Sequence, residues 1–273
     1  MKLIVPDIVL GISNQLEDAG YEAYLIGGCV RDILLNKSPK DWDVTTDATP
    51  EQIQAVFPDS FYENTFGTVG VKTASEDPKL KVIEVTPYRK EGEYSDSRRP
   101  DTVEFGVSLG EDLKRRDFTV NAIAYRPKTD EIVDEHGGGE DLKKKLLRAV
   151  GDPNKRFKED ALRMMRAVRL SAELGFAIEQ ETAGAILNNA DNLKNISRER
   201  VRDELVRTLE TSTPMPALYL AQKLGLLKHI IPALEEGIGI DQNQAHSYDV
   251  YEHNLRALQH AADKNWPFHV RLA

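Results

Sequence analysis

At residues 24–53 the chain reads "YLIGGCVRDILLNKSPKDWDVTTDATPEQI". A short strand, Glu22 to Ile26, is predicted to run into Gly27-Gly28, and Val30 to Leu35 is predicted to be helical. A further strand is predicted from Asp41 to Val44. This order of strand, glycine turn, helix and strand indicates that the chain begins with a unit that mixes α and β structure.

Two aspartates mark that last strand. Alternate side chains of an extended strand share a face, so Asp41 and Asp43 are predicted to point together, with Trp42 and Val44 on the other side. Two neighbouring carboxylates repel each other unless a cation lies between them, and Mg²⁺ prefers oxygen ligands. An isolated pair of this kind more often ends a strand in solvent, so the pair alone does not indicate a metal site.

Two neighbouring features strengthen the metal hypothesis. Gly27-Gly28 precedes the pair by about a dozen residues, and its backbone amides at a helix start can hold an anion. The predicted strand "KVIEVTPY" offers Glu84 on the face opposite Ile83 and Val85. A phosphate site beside a metal site, with a third carboxylate nearby, is therefore predicted.

The rest of the chain divides into two parts. Strands are predicted at residues 68–73 and 81–86, and the segment from Arg89 to Lys114 is predicted to be a long functional loop. After Gly137-Gly138-Gly139 the pattern is helical, and no strand is expected. The predicted helices there are Glu140–Lys145, Phe157–Leu174, Glu181–Ala190, Arg198–Leu209, Ala217–Leu224 and Val250–Asp263.

Composition restricts the class of protein. The chain has 273 residues, of which 40% are hydrophobic and 30% charged, and its formal net charge is −9. No apolar run approaches the roughly 18 residues of a membrane span. Cys29 is the only cysteine, so no internal disulfide can form and a cytoplasmic location is predicted. Residues 1–140 are acidic, which suits a cation site, whereas residues 141–273 are nearly balanced and carry clustered Lys and Arg.

Six segments, in order, resemble the motifs of one known family. The stretch at residues 24–53 resembles the first motif of the bacterial and eukaryotic (class II) tRNA nucleotidyltransferases and the bacterial poly(A) polymerases. The other five resemble that family's flexible loop, ribose-binding motif, hinge, base-reading motif and a later helical motif. They read "EGEYSDSRRPDTVEF" (91–105), "RRDFTVNAIAY" (115–125), "DEHGGGEDLKKKLLR" (134–148), "RFKEDALRMMRAVRLSAELGF" (156–176) and "ISRERVRDELVRTL" (196–209).

The resemblance implies an α+β fold. Its first part would be a polymerase-β-like nucleotidyltransferase head, a small mixed or antiparallel sheet with helices, followed by an all-α neck and body. We accordingly expect a catalytic head at residues 1–138, a helical neck at 139–210 and a helical body at 211–273.

The resemblance also implies the chemistry. Asp41 and Asp43 would hold Mg²⁺, with Glu84 completing the carboxylate set. An RNA 3′ hydroxyl would attack the α-phosphate of CTP or ATP, and pyrophosphate would leave. The nucleotide-binding residues implied in the head are Gly27, Gly28, Arg31, Arg116, Asp117 and Asn121.

The base-reading motif adds a second set of nucleotide-binding residues. Glu159, Asp160 and Arg163 are predicted to lie on one helix, with Asp160 and Arg163 on one face. An arginine donor beside a carboxylate acceptor matches the Watson–Crick edges of cytosine and adenine and rejects guanine and uracil. Arg166 could hold a phosphate. A surface ion pair is the commoner outcome of this spacing.

Basic residues of the second half are predicted to contact the backbone of tRNA, which would make binding salt-dependent. A solvated helix surface explains several of them equally well. The predicted RNA-binding residues are Lys143, Lys144, Lys145, Arg198 and Arg202, with Arg148, Lys194 and Arg200 as further candidates.

The last segment, residues 246–273, resembles the start of an HD-type metal-binding domain, with His253 at the first ligand position. The His-Asp pair of such a domain does not follow, so we expect no competent metal site there and a truncated chain. Template-independent CCA addition to tRNA is the leading prediction, followed by A-only addition, poly(A) addition and a non-catalytic RNA-binding fragment. Membrane binding is not expected, and the oligomeric state stays open.

Overall fold

The computed structural model describes residues 3–62, 67–92, 102–242 and 247–272. The described residues form two compact units. The head unit holds those up to Lys144, and the second unit begins at Lys145. The predicted loop motif at residues 91–105 lies mostly outside the described residues. The three-part division at residues 138 and 210 stays a prediction.

The head unit mixes helices and strands, as the sequence predicted. A 3₁₀ helix spans Thr119–Asn121. The helices are α1 (Asp7–Asp18), α2 (Gly28–Leu34), α3 (Pro50–Val56), α4 (Leu109–Lys114) and α5 (Gly138–Lys144). The strands are β1 (Ala23–Ile26), β2 (Asp43–Thr46), β3 (Ser60–Tyr62), β4 (Val69–Lys72), β5 (Val82–Pro87), β6 (Arg89–Glu91), β7 (Val103–Phe105), β8 (Ala124–Arg126) and β9 (Glu131–Val133).

Seven of the described strands form one sheet in the order β3-β4-β5-β2-β1-β8-β9. Strands β2 and β5 run parallel, and the other neighbours are antiparallel. Strand β1 is buried along its whole length, because none of its four residues, Ala23–Ile26, is exposed. The predicted mixed sheet of an α+β head is therefore confirmed.

Helix α5 packs against the Thr119–Asn121 helix. Asp134 accepts the backbone N–H groups of Gly138 and Gly139 at 2.7 and 2.9 Å, which caps the start of α5. The buried hydroxyl of Thr119 donates to Asp141 at 2.7 Å. These contacts fix the short helix that carries Asn121.

The second unit is mostly helical. A 3₁₀ helix spans Ala190–Asn195, and the two-residue strands β10 (Leu146–Leu147) and β11 (Ala177–Ile178) pair in parallel. The α-helices are α6 (Pro153–Glu159), α7 (Leu162–Leu174), α8 (Gln180–Asn189), α9 (Arg198–Leu209), α10 (Pro214–Lys223), α11 (Leu227–Ile230), α12 (Pro232–Glu235), α13 (Val250–Asp263) and α14 (Phe268–Leu272).

Helices α7 and α9 are joined by a buried ion pair. Arg169 donates to Glu204 at 2.5 Å and to Glu173 at 2.9 Å. Apolar residues, among them Met164, Val168 and Val201, are buried on the same helices. Within the four described ranges, no helix has both the length and the apolar character that a membrane crossing needs.

Three predictions of local structure are wrong. The described part of the predicted loop from Arg89 to Lys114 contains β6, β7 and α4. The all-α remainder includes the β10–β11 pair, where Leu146 extends alongside Ala177. The predicted helix Phe157–Leu174 is broken at Asp160, which lies between the end of α6 and the start of α7.

Candidate functional site

The glycine turn before α2 is surrounded by charged groups. Gly27 has a φ of +79°, a conformation that residues with a Cβ atom rarely adopt. A Cβ atom at Gly27 would lie 3.3 Å from Nη1 of Arg116 and 3.5 Å from Oδ2 of Asp43. The missing side chain thus leaves space between an arginine and a carboxylate.

Gly28 also has one arginine and one aspartate beside it. A Cβ atom there would lie 3.6 Å from Nη2 of Arg31 and 3.8 Å from Oδ1 of Asp41. Both predicted metal ligands therefore face the glycine turn, together with two of the predicted phosphate-binding arginines. The head unit brings these predicted residues together.

The strands place the carboxylates. Strand β2 starts at Asp43, so the prediction that it starts at Asp41 is wrong, and Asp41 lies in an exposed bend before it. Asp43 pairs with Glu84 across the parallel β2–β5 ladder. Paired residues of adjacent strands project to the same side of a sheet, so Glu84 lies on the face of Asp43.

A chain of hydrogen bonds joins three further predicted residues. Arg31 donates to Oδ1 of Asn121 at 2.8 Å, and the amide of Asn121 donates to Asp117 at 3.1 Å. Asp32 accepts from Arg31 at 2.7 Å. Helix α2 and the Thr119–Asn121 helix are thereby held together beside the glycine turn.

Asp112 is a functional candidate that the sequence analysis missed. Its side chain is fully buried and accepts from Arg115 and Arg116, three and four residues later. The backbone N–H of Arg89 donates to the same carboxylate at 3.3 Å. The i, i+3 and i, i+4 spacing of opposite charges in "EDLKRRD" was the available signal.

Two ionisable groups near the turn have shifted pKa values. Burial acts to raise the pKa of Asp112, but the guanidinium groups of Arg115 and Arg116 outweigh it, so the pKa lies below its ordinary value. Burial, helped by Asp43, raises the pKa of the Cys29 thiol to about 12. Asp112 is therefore an anion at neutral pH, and Cys29 is a protonated thiol that is a poor nucleophile.

The chemistry of the carboxylates fits Mg²⁺. Across the described ranges, no three His, Cys, Asp or Glu side chains form a metal-binding group by themselves. Glu84 does not complete such a group with Asp41 and Asp43 in this structure. Mg²⁺ is usually held by one or two carboxylates with waters and substrate phosphates, and Asp41 and Asp43 can supply that number of ligands.

The predicted base-reading residues lie in the second unit. Asp160 ends α6 in an extended conformation, and its Oδ1 accepts the N–H of Leu162 at 3.0 Å at the start of α7. Glu159 and Asp160 are therefore not on the helix of Arg163, and that prediction is wrong. The side chain of Asp160 competes with the backbone for hydrogen bonds, which is why the helix breaks there.

Two arginines surround this break. Arg200 of α9 donates to both oxygens of Asp160, at 3.3 and 2.7 Å. Arg163 is 9% exposed, and its backbone N–H donates to the carbonyl of Asp160 at 3.1 Å. Glu159 accepts from Arg156 at 2.6 Å, while Arg166 is half-buried on α7. Arg200, a further candidate for an RNA contact, fixes the Asp160 carboxylate.

The predicted RNA-binding residues are exposed. Arg198 donates to the carbonyl of His229 at 3.2 Å, and Asp191 accepts from His229 at 2.9 Å and lies 3.5 Å from Lys194. Arg202 pairs with its neighbour Asp203 at 2.8 Å. Lys143 pairs with Glu140 at 2.7 Å, and Lys144 and Lys145 are also exposed.

Two protein-family models match the chain. The model described as the poly A polymerase head domain matches residues 23–148. The model described as the probable RNA and SrmB-binding site of polymerase A matches residues 175–238. The first match includes the glycine turn, both carboxylates and the arginines around Asp112.

Similar proteins carry consistent names. The CCA-adding enzyme of Lactobacillus helveticus is 48% identical over 207 residues, which are 74% of this chain and 50% of that protein. The crystal structure of the Bacillus stearothermophilus CCA-adding enzyme in complex with CTP is 40% identical, with a TM-score of 0.77 over 86% of this chain and 57% of that chain.

A third similar structure contains RNA. It is the crystal structure of a tRNA nucleotidyltransferase complexed with a primer tRNA and an incoming ATP analog. It is 27% identical, with a TM-score of 0.70 over 93% of this chain and 70% of that chain. The chain spans about half the length of the curated relatives it matches.

Proposed function

This chain belongs to the family of tRNA nucleotidyltransferases and bacterial poly(A) polymerases, and from that premise we propose that it adds CMP and AMP to the 3′ end of tRNA without a nucleic-acid template. The observation that carries the proposal is the Gly27-Gly28 turn, where each glycine is faced by one arginine and one carboxylate, Arg116 and Asp43 at Gly27 and Arg31 and Asp41 at Gly28. Anionic ligands and cationic side chains around an open backbone turn suit a nucleoside triphosphate.

In the proposed reaction, the 3′ oxygen of tRNA forms a bond to the α-phosphorus of CTP or ATP while the bond to pyrophosphate breaks. Arg31 and Arg116 oppose the charge of the triphosphate, and Asp117 accepts from ribose hydroxyl groups. Mg²⁺, for which Asp41 and Asp43 are the proposed ligands and Glu84 a nearby carboxylate, supplies Lewis-acid stabilisation of phosphate charge when bound. In this reaction the tRNA 3′ oxygen is the only nucleophile, and no enzyme-bound intermediate is proposed.

Base choice is proposed to depend on Asp160 and Arg163. A carboxylate has about four lone-pair sites, and the described contacts of Oδ2 include one donor, Arg200. Oδ2 can therefore still accept from the exocyclic amino group of cytosine or adenine, while Arg163 donates to the adjacent ring nitrogen. Guanine and uracil present the opposite polarity and would leave buried polar groups unpaired.

Replacing Arg163 with alanine is expected to weaken base selectivity. The preference for CTP over UTP, measured as the ratio of kcat/KM values on tRNA that lacks CCA, should fall by at least about tenfold. The control is Arg207→Ala, which removes an exposed arginine of α9 in the same unit and should leave the ratio unchanged. An unchanged ratio in Arg163→Ala would contradict the proposed role.

The exposed lysines and arginines of residues 143–202 are proposed to contact the phosphate backbone of tRNA. Such contacts release counterions, so tRNA affinity should fall steeply as salt rises. Because the proposed substrates are tRNA, CTP and ATP, we also propose that the protein works in the cytoplasm.

The test is a transfer assay with purified protein, Mg²⁺ and three tRNAs that end before the CCA sequence, after its first C and after CC. Each is given labelled CTP or ATP. Incorporation of both nucleotides to the full CCA end is expected. Label from ATP alone, only on the CC-ended tRNA, would show A-only addition, and long A tails would show poly(A) synthesis. No label on any tRNA would exclude the proposed activity for this chain and leave an RNA-binding role.

A further inference from the structure

The buried Asp112 carboxylate divides its two oxygens between two arginines. Oδ1 accepts from Nε and Nη2 of Arg115, at 2.9 and 2.6 Å, and from the backbone of Arg89 at 3.3 Å. Oδ2 accepts from Nη2 of Arg116 at 3.2 Å. One oxygen therefore serves the local structure of the head, and the other fixes a single guanidinium group.

The opposite side of that guanidinium group faces the glycine turn. Nη1 of Arg116 lies 3.3 Å from the position of a Cβ atom at Gly27, the same position that lies 3.5 Å from Asp43. Because a guanidinium group is planar and rigid, a bond at Nη2 sets the direction of Nη1. The bond to Asp112 therefore helps to fix where Arg116 lies beside the turn.

We propose that Asp112 is a positioning residue for nucleotide binding, which holds Arg116 at the glycine turn so that its outer nitrogen meets the phosphates of CTP or ATP. This inference rests on the proposed function, because it takes a nucleoside triphosphate as the ligand. Asp112 itself touches no phosphate and acts through Arg116. The negative charge of Asp112, which Arg115 and Arg116 maintain despite burial, makes the bond to Arg116 a charge-assisted one.

The test replaces Asp112 with asparagine. The single amide oxygen is expected to stay with the three donors at Oδ1, which turns the amide NH₂ group toward Nη2 of Arg116, where two donors cannot bond. Affinity for CTP, measured by calorimetry on the full chain, should fall about 10- to 100-fold, the effect of losing a charge-assisted hydrogen bond. Affinity for CMP, which lacks the β- and γ-phosphates, should change by less than about twofold.

Glu91→Gln is the matched control. Glu91 accepts from Arg89 and Arg115 in the same buried group of charges, and glutamine keeps an oxygen for those bonds. It should bind CTP as the wild type does. Arg116→Gln should reproduce the loss seen in Asp112→Asn, and the double variant should show no additional loss, because both changes remove one contact.

Several results would overturn the inference: equal losses for CTP and CMP, no loss for CTP, or additive losses in the double variant. If Asp112→Asn does not fold, Asp112→Glu is used, which keeps the charge but shifts the carboxylate. Its affinities for CTP and CMP are then compared in the same way, and a loss confined to CTP is expected. A wild-type protein that binds CTP but transfers nothing would defeat the proposed function and leave this inference standing. Normal transfer by the wild type, together with unaltered CTP affinity in Asp112→Asn, would support the proposed function and overturn this inference.

Discussion

Asp43→Asn is expected to reduce nucleotidyl transfer by about 10³-fold or more, with tRNA binding nearly unchanged. Asparagine keeps the shape of the side chain but loses the charge that attracts a divalent cation. Metal ions contribute several kcal/mol to the stabilisation of transition-state charge, and each 1.36 kcal/mol corresponds to a factor of ten. Single-turnover transfer from CTP to tRNA, with tRNA affinity from a gel-shift titration, measures the two effects separately.

The control for this prediction lies just beyond the same strand. Asp47 is exposed, and its carboxylate accepts the backbone N–H of Glu22 at 2.7 Å. Asp47→Asn removes the same charge from the protein but keeps an oxygen for that bond, so transfer should stay close to the wild-type rate. Asp41→Ala should behave like Asp43→Asn. Wild-type rates in both Asp41→Ala and Asp43→Asn would refute the role of the pair in metal binding.

The head site was largely predictable because its signals are local. A strand that ends in Gly-Gly before a helix, followed by two aspartates at alternate positions, specifies a turn and a shared face without knowledge of the rest of the chain. Strand alternation in "KVIEVTPY" predicted the face of Glu84, but its ladder position opposite Asp43 is a tertiary pairing that alternation within one strand does not encode. The glycine turn before α2 lies where the pattern indicated, whereas β2 begins at Asp43 and Asp41 lies in the bend before it.

The contacts that fix the site were less predictable because they join distant segments. Arg200 meets Asp160 across 40 positions, and Arg89 meets Asp112 across 23. No periodicity encodes such pairs. The break at Asp160 had a local signal, since aspartate is a favoured helix N-cap, but the good helix formers around it favoured a continuous helix.

Short strands were missed for a different reason. Strands β8 and β9 have three residues each, too few for alternation to be distinguished from chance. The turn between them includes Asp130 at a φ of +54°, a conformation that aspartate tolerates better than most residues. The strands are stabilised by pairing with β1 and with each other, which is a tertiary effect.

Gly138→Ala is expected to destabilise the head unit by about 3 kcal/mol, at the upper end of the range for overpacking. A Cβ atom at Gly138 would collide with the backbone oxygen of Thr119 and lie 2.8 Å from the carbonyl carbon. A backbone group cannot move away by changing rotamer, so α5 or the Thr119–Asn121 helix must shift. Displacement of Asn121 would also disturb its bond to Arg31, and the KM for CTP should rise.

Urea unfolding measures this change through the fluorescence of Trp42. Trp42 is 6% exposed in the head unit, whereas Trp266, the other tryptophan, is 46% exposed in the second unit. The control is Gly11→Ala in the middle of α1, where a Cβ atom would meet nothing within 4 Å. That change should stabilise the head by about 0.5–1 kcal/mol, because alanine is the better helix former. A midpoint for Gly138→Ala equal to that of the wild type would show that α5 and its neighbour are not packed as tightly as this close approach requires.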